Sequence, residues 1–432
     1  MAVSWMNNIT VAVRVRPVAK GGFRCVHAPE HDRTLLDVRD PDDKMGGSDY
    51  LRLNKTRGKR FTFDRVLGEQ AQQADVYEAT AAQLVQPTLE GFNGTCFAYG
   101  ATGAGKTHTM MGGLDAPGVV PLAVHELFRA AHEGAEDASV KISMQYIEIY
   151  NERIRDLLNP PDEGAGGKHE RALDVRESPS AGTFVAGATE KVVSSAAELL
   201  DVLHRGNLYR TTEPTGCNEW SSRSHAVLQI VSRSQDRFDD GAPVRRGKLS
   251  MIDLAGSERA TRTENTGARL NEATNINRSL LSLANCINAL ADRTRSSKAQ
   301  HVPYRDSKLT RLLKDSLGGN CLTVMITCVS PAPSEFEETL NSLKYANRAK
   351  EIKVVDVQLT ATVDAADRQL RIVSELRQEI VQQQRTIARL SRSGTRLRVH
   401  ATTAAATPPA AARPARVRTC LLYTSDAADE ED

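Results

Sequence analysis

Eight consecutive residues, Gly100, Ala101, Thr102, Gly103, Ala104, Gly105, Lys106 and Thr107, match the spacing G-x-x-x-x-G-K-[ST]. They follow an apolar run, TCFAY, and precede a helix-compatible one, so the expected context is strand, loop, helix. Glycines here let backbone N–H groups converge on phosphate oxygens, and the N-terminus of the new helix adds positive potential. Lys106 would reach the β- and γ-phosphates of a nucleotide, and the Thr107 hydroxyl would bind Mg2+. A functionless glycine-rich turn matches this pattern in on the order of a few per cent of chains this long, but rarely in that context.

Two later segments complete the chemistry. Asp253 closes an apolar strand candidate and begins D-L-A-G-S-E, which ends at Glu258. An acidic residue after a buried strand is the usual second Mg2+ element, and Gly256 is free to aim its amide at a γ-phosphate. Alone, D-x-x-G also fits an ordinary turn. The third segment runs from Asn218 through Ser221, Ser222 and Arg223 to His225 and reads by itself as a solvated loop. Its hydroxyls suit metal binding and water positioning, and Arg223 suits a carboxylate across the site. Together the three form a phosphate cradle, a metal site and a loop that orders around γ-phosphate.

These loops need a scaffold of alternating strands and helices. Apolar alternation predicts strands at Ile9–Val15, Gly94–Tyr99, Val140–Tyr150, Ala226–Arg233, Lys248–Leu254 and Cys321–Val329. Helical spacing predicts Asp75–Glu90, Asn275–Ala291, Ser307–Leu317 and Phe336–Ile352. The alternation is the signature of an α/β fold. His27–Arg60 reads as short strands around a long exposed loop, and Asn159–Gly167 as a loop by its Pro and Gly content.

Composition narrows the classes. In 432 residues, 56 basic and 54 acidic side chains nearly cancel, which argues against a uniformly basic nucleic-acid binder. The 7 cysteines show no metal-ligand spacing and read as reduced thiols of an intracellular protein. No apolar run is long enough to span a bilayer, so no membrane insertion is expected. After Ile352 the character changes. Val373, Leu376, Ile380, Ile387 and Leu390 are spaced three and four apart, with Gln369 and Gln383 on the same seam. About three heptads fit, a length that suits a weak coiled coil or a single amphipathic helix. From Ser391 the chain is rich in Ala, Thr, Pro and Arg and reads as disordered. Its end, Cys420–Asp432, resembles translated sequencing adapter more than protein, and the natural chain is expected to continue past it.

GATGAGKTHTM, NEWSSRSH and DLAGSERA resemble the P-loop, switch I and switch II of kinesins. Matching segments run from about Ile9 to Lys353 and include RVRP, YIEIYNERIRDLL, NINRSLLSLANCINAL, HVPYRDSKLTRLLKDSLGGN and LKYANRAKEIK. The resemblance implies a P-loop NTPase of kinesin type, α/β, with a mostly eight-stranded central sheet, helices on both faces and a short helical neck. It implies a microtubule-stimulated ATPase with ATP and Mg2+. By this resemblance Arg14, Arg16, Pro17 and His108 bracket the adenine, and Ser221 and Ser222 contact γ-phosphate, Mg2+ and water. Asn218 holds the loop, Asp253 is the second metal element, and Arg223 with Glu258 forms the closing salt bridge. A GTPase reading is disfavoured because no N-K-x-D element occurs.

The implied partner is the microtubule, in the cytoplasm. By charge alone, Arg305, Lys308, Arg311 and Lys314 read as a solvated face, with Arg278 nearby. The resemblance makes these five the tubulin contact, joined by a second cluster that includes Lys55 and Arg57. PTGCNEWSSRSHAVLQI, VRRGKLSMIDLAGSERA and NCINALAD are most similar to the kinesin-8 class, which implies plus-end movement and regulation of plus-end dynamics. A tip-binding regulator that does not walk far is the alternative. The expected divisions are an extension at 1–8, a motor domain at 9–353, a neck linker at 354–365, a helical neck at 366–391 and a tail at 392–432. A homodimer would form through the neck helix and the chain beyond it.

Overall fold

The structure, a computed structural model, describes residues 8–18, 23–41, 59–135, 138–159, 173–178, 182–211, 223–236, 244–258, 268–295, 301–354, 357–360 and 380–384. In chain order the first elements are β1 (Thr10–Val15), β2 (Val26–His27), β3 (Leu35–Val38), β4 (Lys59–Thr62), β5 (Arg65–Leu67), α1 (Gln73–Ala79), α2 (Ala82–Glu90) and β6 (Asn93–Tyr99). Then come α3 (Lys106–Met110), α4 (Val119–Glu133), β7 (Ala138–Tyr150), β8 (Arg153–Asp156), β9 (Asp174–Ser178), β10 (Gly182–Ala186), β11 (Lys191–Val193) and α5 (Ala196–Thr211). The series ends with β12 (His225–Asp236), β13 (Arg245–Asp253), α6 (Ala268–Arg295), α7 (Lys308–Leu312), β14 (Leu322–Val329) and α8 (Phe336–Ala349).

Eight strands follow the order β11-β7-β12-β13-β6-β14-β1-β5, and a ninth, β8, pairs with β7. The run β13-β6-β14-β1-β5 is parallel. Its central strands are buried on both faces, which is why β6 and β14 read as continuous apolar runs. The faces hold separate cores. Val76, Leu84, Met110, Val124 and Leu203 of α1 to α5 pack on one. Leu283, Ile287, Leu309, Leu343 and Ala346 of α6 to α8 pack on the other.

The single helix expected at Asp75–Glu90 is two. Thr80 leaves helical geometry at φ −129°, ψ −87°, while its hydroxyl donates to the Val76 carbonyl at 2.5 Å. The expected Ser307–Leu317 helix keeps only α7 as regular α-helix, because turns follow from Leu313. The helix expected at Asn275–Ala291 is longer, spanning all of α6.

Topology brings the chemistry to one end of the sheet. In parallel register Asp253 lies beside Ala98, so the D-L-A-G-S-E turn and the glycine-rich loop leave adjacent strands together. Antiparallel β12 begins there too, with Ala226 beside Asp253. At the other end, residues 357–360 lie against the starts of β6 and β13. Thr360 N–H donates to Gly91 O (3.1 Å), Arg246 N–H donates to Thr360 O (3.2 Å), and the Asn320 amide bonds both backbone groups of Gln358 (2.7 and 3.1 Å). The chain beyond α8 also pairs with the N-terminus, through Ile9 N–H to Ile352 O. Met1–Arg368 forms one compact unit. In the second unit, Gln369–Asp432, residues 380–384 are helical, and the rest of the expected neck seam lies outside the described residues.

Candidate functional site

The glycine-rich loop takes a path that side chains would block. Gly100 has φ +146°, and a Cβ there would sit 2.2 Å from the Cys328 carbonyl oxygen. Lys106 is 6% exposed, and its ammonium donates to the Ala101 carbonyl at 2.9 Å. Burial pushes its pKa down, opposed by the charges of Asp253 and Glu258. Desolvation of this kind strengthens its pull on a phosphate.

The Thr107 hydroxyl donates to Asp253 Oδ2 at 2.7 Å. The other oxygen of Asp253 is buried and has no hydrogen-bond partner among the described residues. An orphaned carboxylate oxygen beside a hydroxyl is a hard-oxygen pair, the donor set that fits Mg2+. Among the described residues no group of three or more His, Cys, Asp or Glu could hold a metal.

The turn after β13 is fastened onto the loop. Ser257 N–H donates to Gly100 O at 3.1 Å. Glu258 accepts from the Thr102 N–H at 2.8 Å and from the Thr102 hydroxyl at 2.6 Å. Gly256 sits inside this clasp, where a Cβ would meet Thr102 Oγ1 at 2.1 Å and Glu258 Oε2 at 2.2 Å. In the described residues both Glu258 oxygens accept from the two donors of Thr102, and the Arg223–Glu258 pairing stays an expectation of the resemblance. Asn218, Ser221 and Ser222 lie outside the described residues.

The expected adenine bracket divides. Arg16, Pro17 and His108 are exposed, and the Arg16 guanidinium donates to the Gly103 carbonyl. Arg14 is not on that rim. It is 8% exposed and donates to Gln73 Oε1 (2.8 Å) and Thr109 Oγ1 (2.9 Å), bracing α1 against α3. It is buried because β1 is covered on both faces along its whole length. Gln73, unremarked in the sequence, passes the bracing on by donating to His108 O at 2.7 Å.

A buried charge network was also missed. Arg210, at the end of α5, lies 3.6 Å from Glu148 and 3.9 Å from Asp253 Oδ2, and donates to Ser224 Oγ (3.2 Å) and O (2.9 Å). Glu148 is 1% exposed. A lone glutamate within the apolar strand YIEIY is its visible trace. His225 is buried outside the cradle. Burial, then Arg210 and Lys106, push its pKa down to about 3. Below pH 6.5 an unfolded imidazole takes up a proton that the folded one refuses until about pH 3, so stability falls as pH falls through that window. Thermal midpoints between pH 7 and pH 4 should decline by more in wild type than in His225→Gln. The component lost is up to about 1.4 kcal/mol per pH unit, and equal declines would refute it.

The basic positions are not one open face. Arg278 and Arg305 are exposed. Lys308, Arg311 and Lys314 instead face the β9–β10 hairpin: Lys308 pairs with Asp174, Arg311 lies 3.8 Å from Asp174, and Lys314 lies 2.5 Å from Glu177. Lys55 and Arg57 lie outside the described residues.

Residues 14–352 match the Kinesin motor domain family model. The chain is 45% identical over 388 residues to the human kinesin-like protein KIF19, covering 88% of this chain and 37% of that protein. It is 43% identical to rice kinesin-like protein KIN-8A (88% and 49% covered) and 46% identical to chicken kinesin-like protein KIF18B (80% and 43%). It thus spans half or less of these relatives' lengths. A solved KIF14 dimer with AMP-PNP, in complex with a microtubule, superposes with TM-score 0.71 at 37% identity, covering 81% of this chain and 96% of that one. A fast kinesin gives TM-score 0.71 at 37% identity, covering 84% and 97%.

Proposed function

The chain belongs to the kinesin motor family, with relatives in the kinesin-8 class, and we propose that it hydrolyses ATP on microtubules to drive plus-end-directed movement. The observation that carries this reading is the gathering of Lys106, Thr107, Asp253 and the Gly256–Glu258 turn at one end of adjacent parallel strands. Thr107 and Asp253 would hold Mg2+, which supplies charge neutralisation on the phosphates when bound. The loop amides and buried Lys106 bind the triphosphate, while Arg16, Pro17 and His108 flank the base. Gly256 presents its amide to the γ-phosphate, Ser221 and Ser222 serve the γ-phosphate, the metal and the attacking water, Asn218 helps to hold their loop, and Arg223 pairs with Glu258 to close the site. Phosphoryl transfer asks little more of a protein than this positioning and charge stabilisation.

Movement is supported by residues 357–360, which lie bonded along the sheet's opposite end. Tubulin as partner is supported by the family and by the KIF14 neighbour's microtubule complex. A homodimer through 366–391 belongs to the same proposal. The test is ATP and GTP turnover with and without microtubules, joined to single-molecule tracking. ATP turnover should rise at least about tenfold on microtubules, with GTP the poorer substrate and runs directed to plus ends. No activation would overturn the ATPase reading; static or diffusive events with tubulin release would replace walking with tip regulation.

A further inference from the structure

The antiparallel strands β7 and β8 pair Tyr150 with Arg153, so Asn151 and Glu152 alone make the turn between them. Both have positive φ, +50° and +58°, a geometry shared by no other non-glycine residue among those described. A two-residue hairpin turn of this hand favours Asn followed by Gly, so Glu152 stands where glycine would be relaxed. Its carboxylate reaches the start of α7. The Ser307 hydroxyl donates to Oε1 at 2.7 Å and the Lys308 N–H donates to Oε2 at 2.7 Å, across 155 and 156 positions. Ser307, 2% exposed, in turn accepts the Leu309 N–H at 3.1 Å. Just upstream, the Tyr304 carbonyl accepts the Thr310 hydroxyl at 2.9 Å, and the Tyr304 hydroxyl donates to Leu317 O at 2.8 Å. The exposed Arg305 is thus carried between two fixed neighbours, Tyr304 and Ser307.

We propose that Glu152 is a positioning residue for the microtubule contact: from the β7–β8 turn it sets the start of α7 and, with it, the exposed Arg305. The proposal rests on the reading of the microtubule as partner. A strained backbone persists only where surrounding contacts hold it, and here those contacts are the two bonds to Ser307 and Lys308. Glycine would relax the turn and forfeit both bonds. Hydrogen bonds to a carboxylate are short and strong, so they tie a segment remote in sequence to a strand of the central sheet. Without them the stretch from Tyr304 to Lys308 would have to be ordered as tubulin is bound, and binding would weaken by that cost. Glu152 acts through Ser307 and Lys308 and needs no contact of its own with tubulin.

Glu152→Asn and Glu152→Gly both accept positive φ but fall short of α7, whereas Glu152→Gln keeps the length and one acceptor. In the first two, the microtubule concentration for half-activation should rise about 3- to 30-fold, the cost of ordering one or two side chains on binding. Basal turnover and turnover at saturating microtubules should stay within about twofold, because lost placement weakens binding and leaves the bound state as it was. Glu152→Gln should fall between wild type and Glu152→Asn. A bare charge effect would instead make Asn and Gln alike, since both remove the same charge. A second readout needs no microtubule: amide exchange of residues 307–311 should be faster in Glu152→Asn than in wild type by about tenfold or more. Unchanged half-activation in Glu152→Asn or Glu152→Gly, equal effects of Asn and Gln, equal loss of basal and stimulated turnover, or unchanged exchange would each overturn the positioning role. A wild type that microtubules neither activate nor carry down in sedimentation would overturn the microtubule reading instead, and the exchange measurement would still decide whether Glu152 holds α7.

Discussion

Gly256→Ala should lower ATP turnover by about 100-fold or more while leaving nucleotide affinity within a few-fold, because it removes one preorganised donor from the reacting phosphate. A Cβ at this position would lie 2.1 Å from Thr102 Oγ1 and 2.2 Å from Glu258 Oε2, far inside any real contact. Both neighbours are side-chain ends bonded to each other, so for them to move aside the Thr102–Glu258 clasp must open. With the clasp open, the turn keeps only the Ser257–Gly100 bond to the phosphate loop, and the Gly256 amide loses its fixed place at the phosphate. Binding survives because Lys106 and the loop glycines lie on the other side of the clasp. Steady-state turnover beside equilibrium binding of a labelled nucleotide separates these effects. Turnover within twofold of wild type, in a variant of unchanged thermal midpoint, would show that the clasp has no part in hydrolysis.

Arg210→Met carries the largest expected loss of stability. The guanidinium is 6% exposed and stands between Glu148 and Asp253, both buried. Removing it takes a cation from Asp253 and leaves Glu148 with the more exposed Arg155 at 3.8 Å, and breaking a buried ion network in this way costs about 3–5 kcal/mol. For a domain of this size that corresponds to a fall in thermal midpoint of roughly 4–8 °C. The double variant Arg210→Met, Glu148→Gln should recover more than half of the loss, because it removes the stranded charge together with its partner. Calorimetry on both decides it. A single variant as stable as wild type, or a double variant worse than the single, would mean that the network does not hold this corner of the sheet.

Much of the site was legible in the chain because its parts are contiguous. Gly100 to Thr107 carry strand, loop and helix start within one stretch, and Asp253 to Glu258 repeat the arrangement on the neighbouring strand. Backbone geometry over a few residues is a local property, so residue type and spacing suffice to read it. The strands were legible for a similar reason: burial on both faces leaves continuous apolar runs such as those of β6 and β14. The break at Thr80 was not, because a back-bonding hydroxyl overrode a helical pattern that continues through it.

What the sequence determined by itself was the chemistry of the phosphate loop, the acidic turn and the α/β alternation, each written in neighbours along the chain. Only the tertiary structure decided which distant groups meet. Arg14 reads as a rim residue until α1 brings Gln73 to it across 59 positions. Lys308, Arg311 and Lys314 read as an open basic face until β9 and β10 fold against them. Glu258 meets Thr102, 156 positions away, because the sheet register sets Asp253 beside Ala98 and brings the two turns together. Pairing of charges depends on distance through space and on exclusion of water, and neither is written in the spacing of residues along a chain.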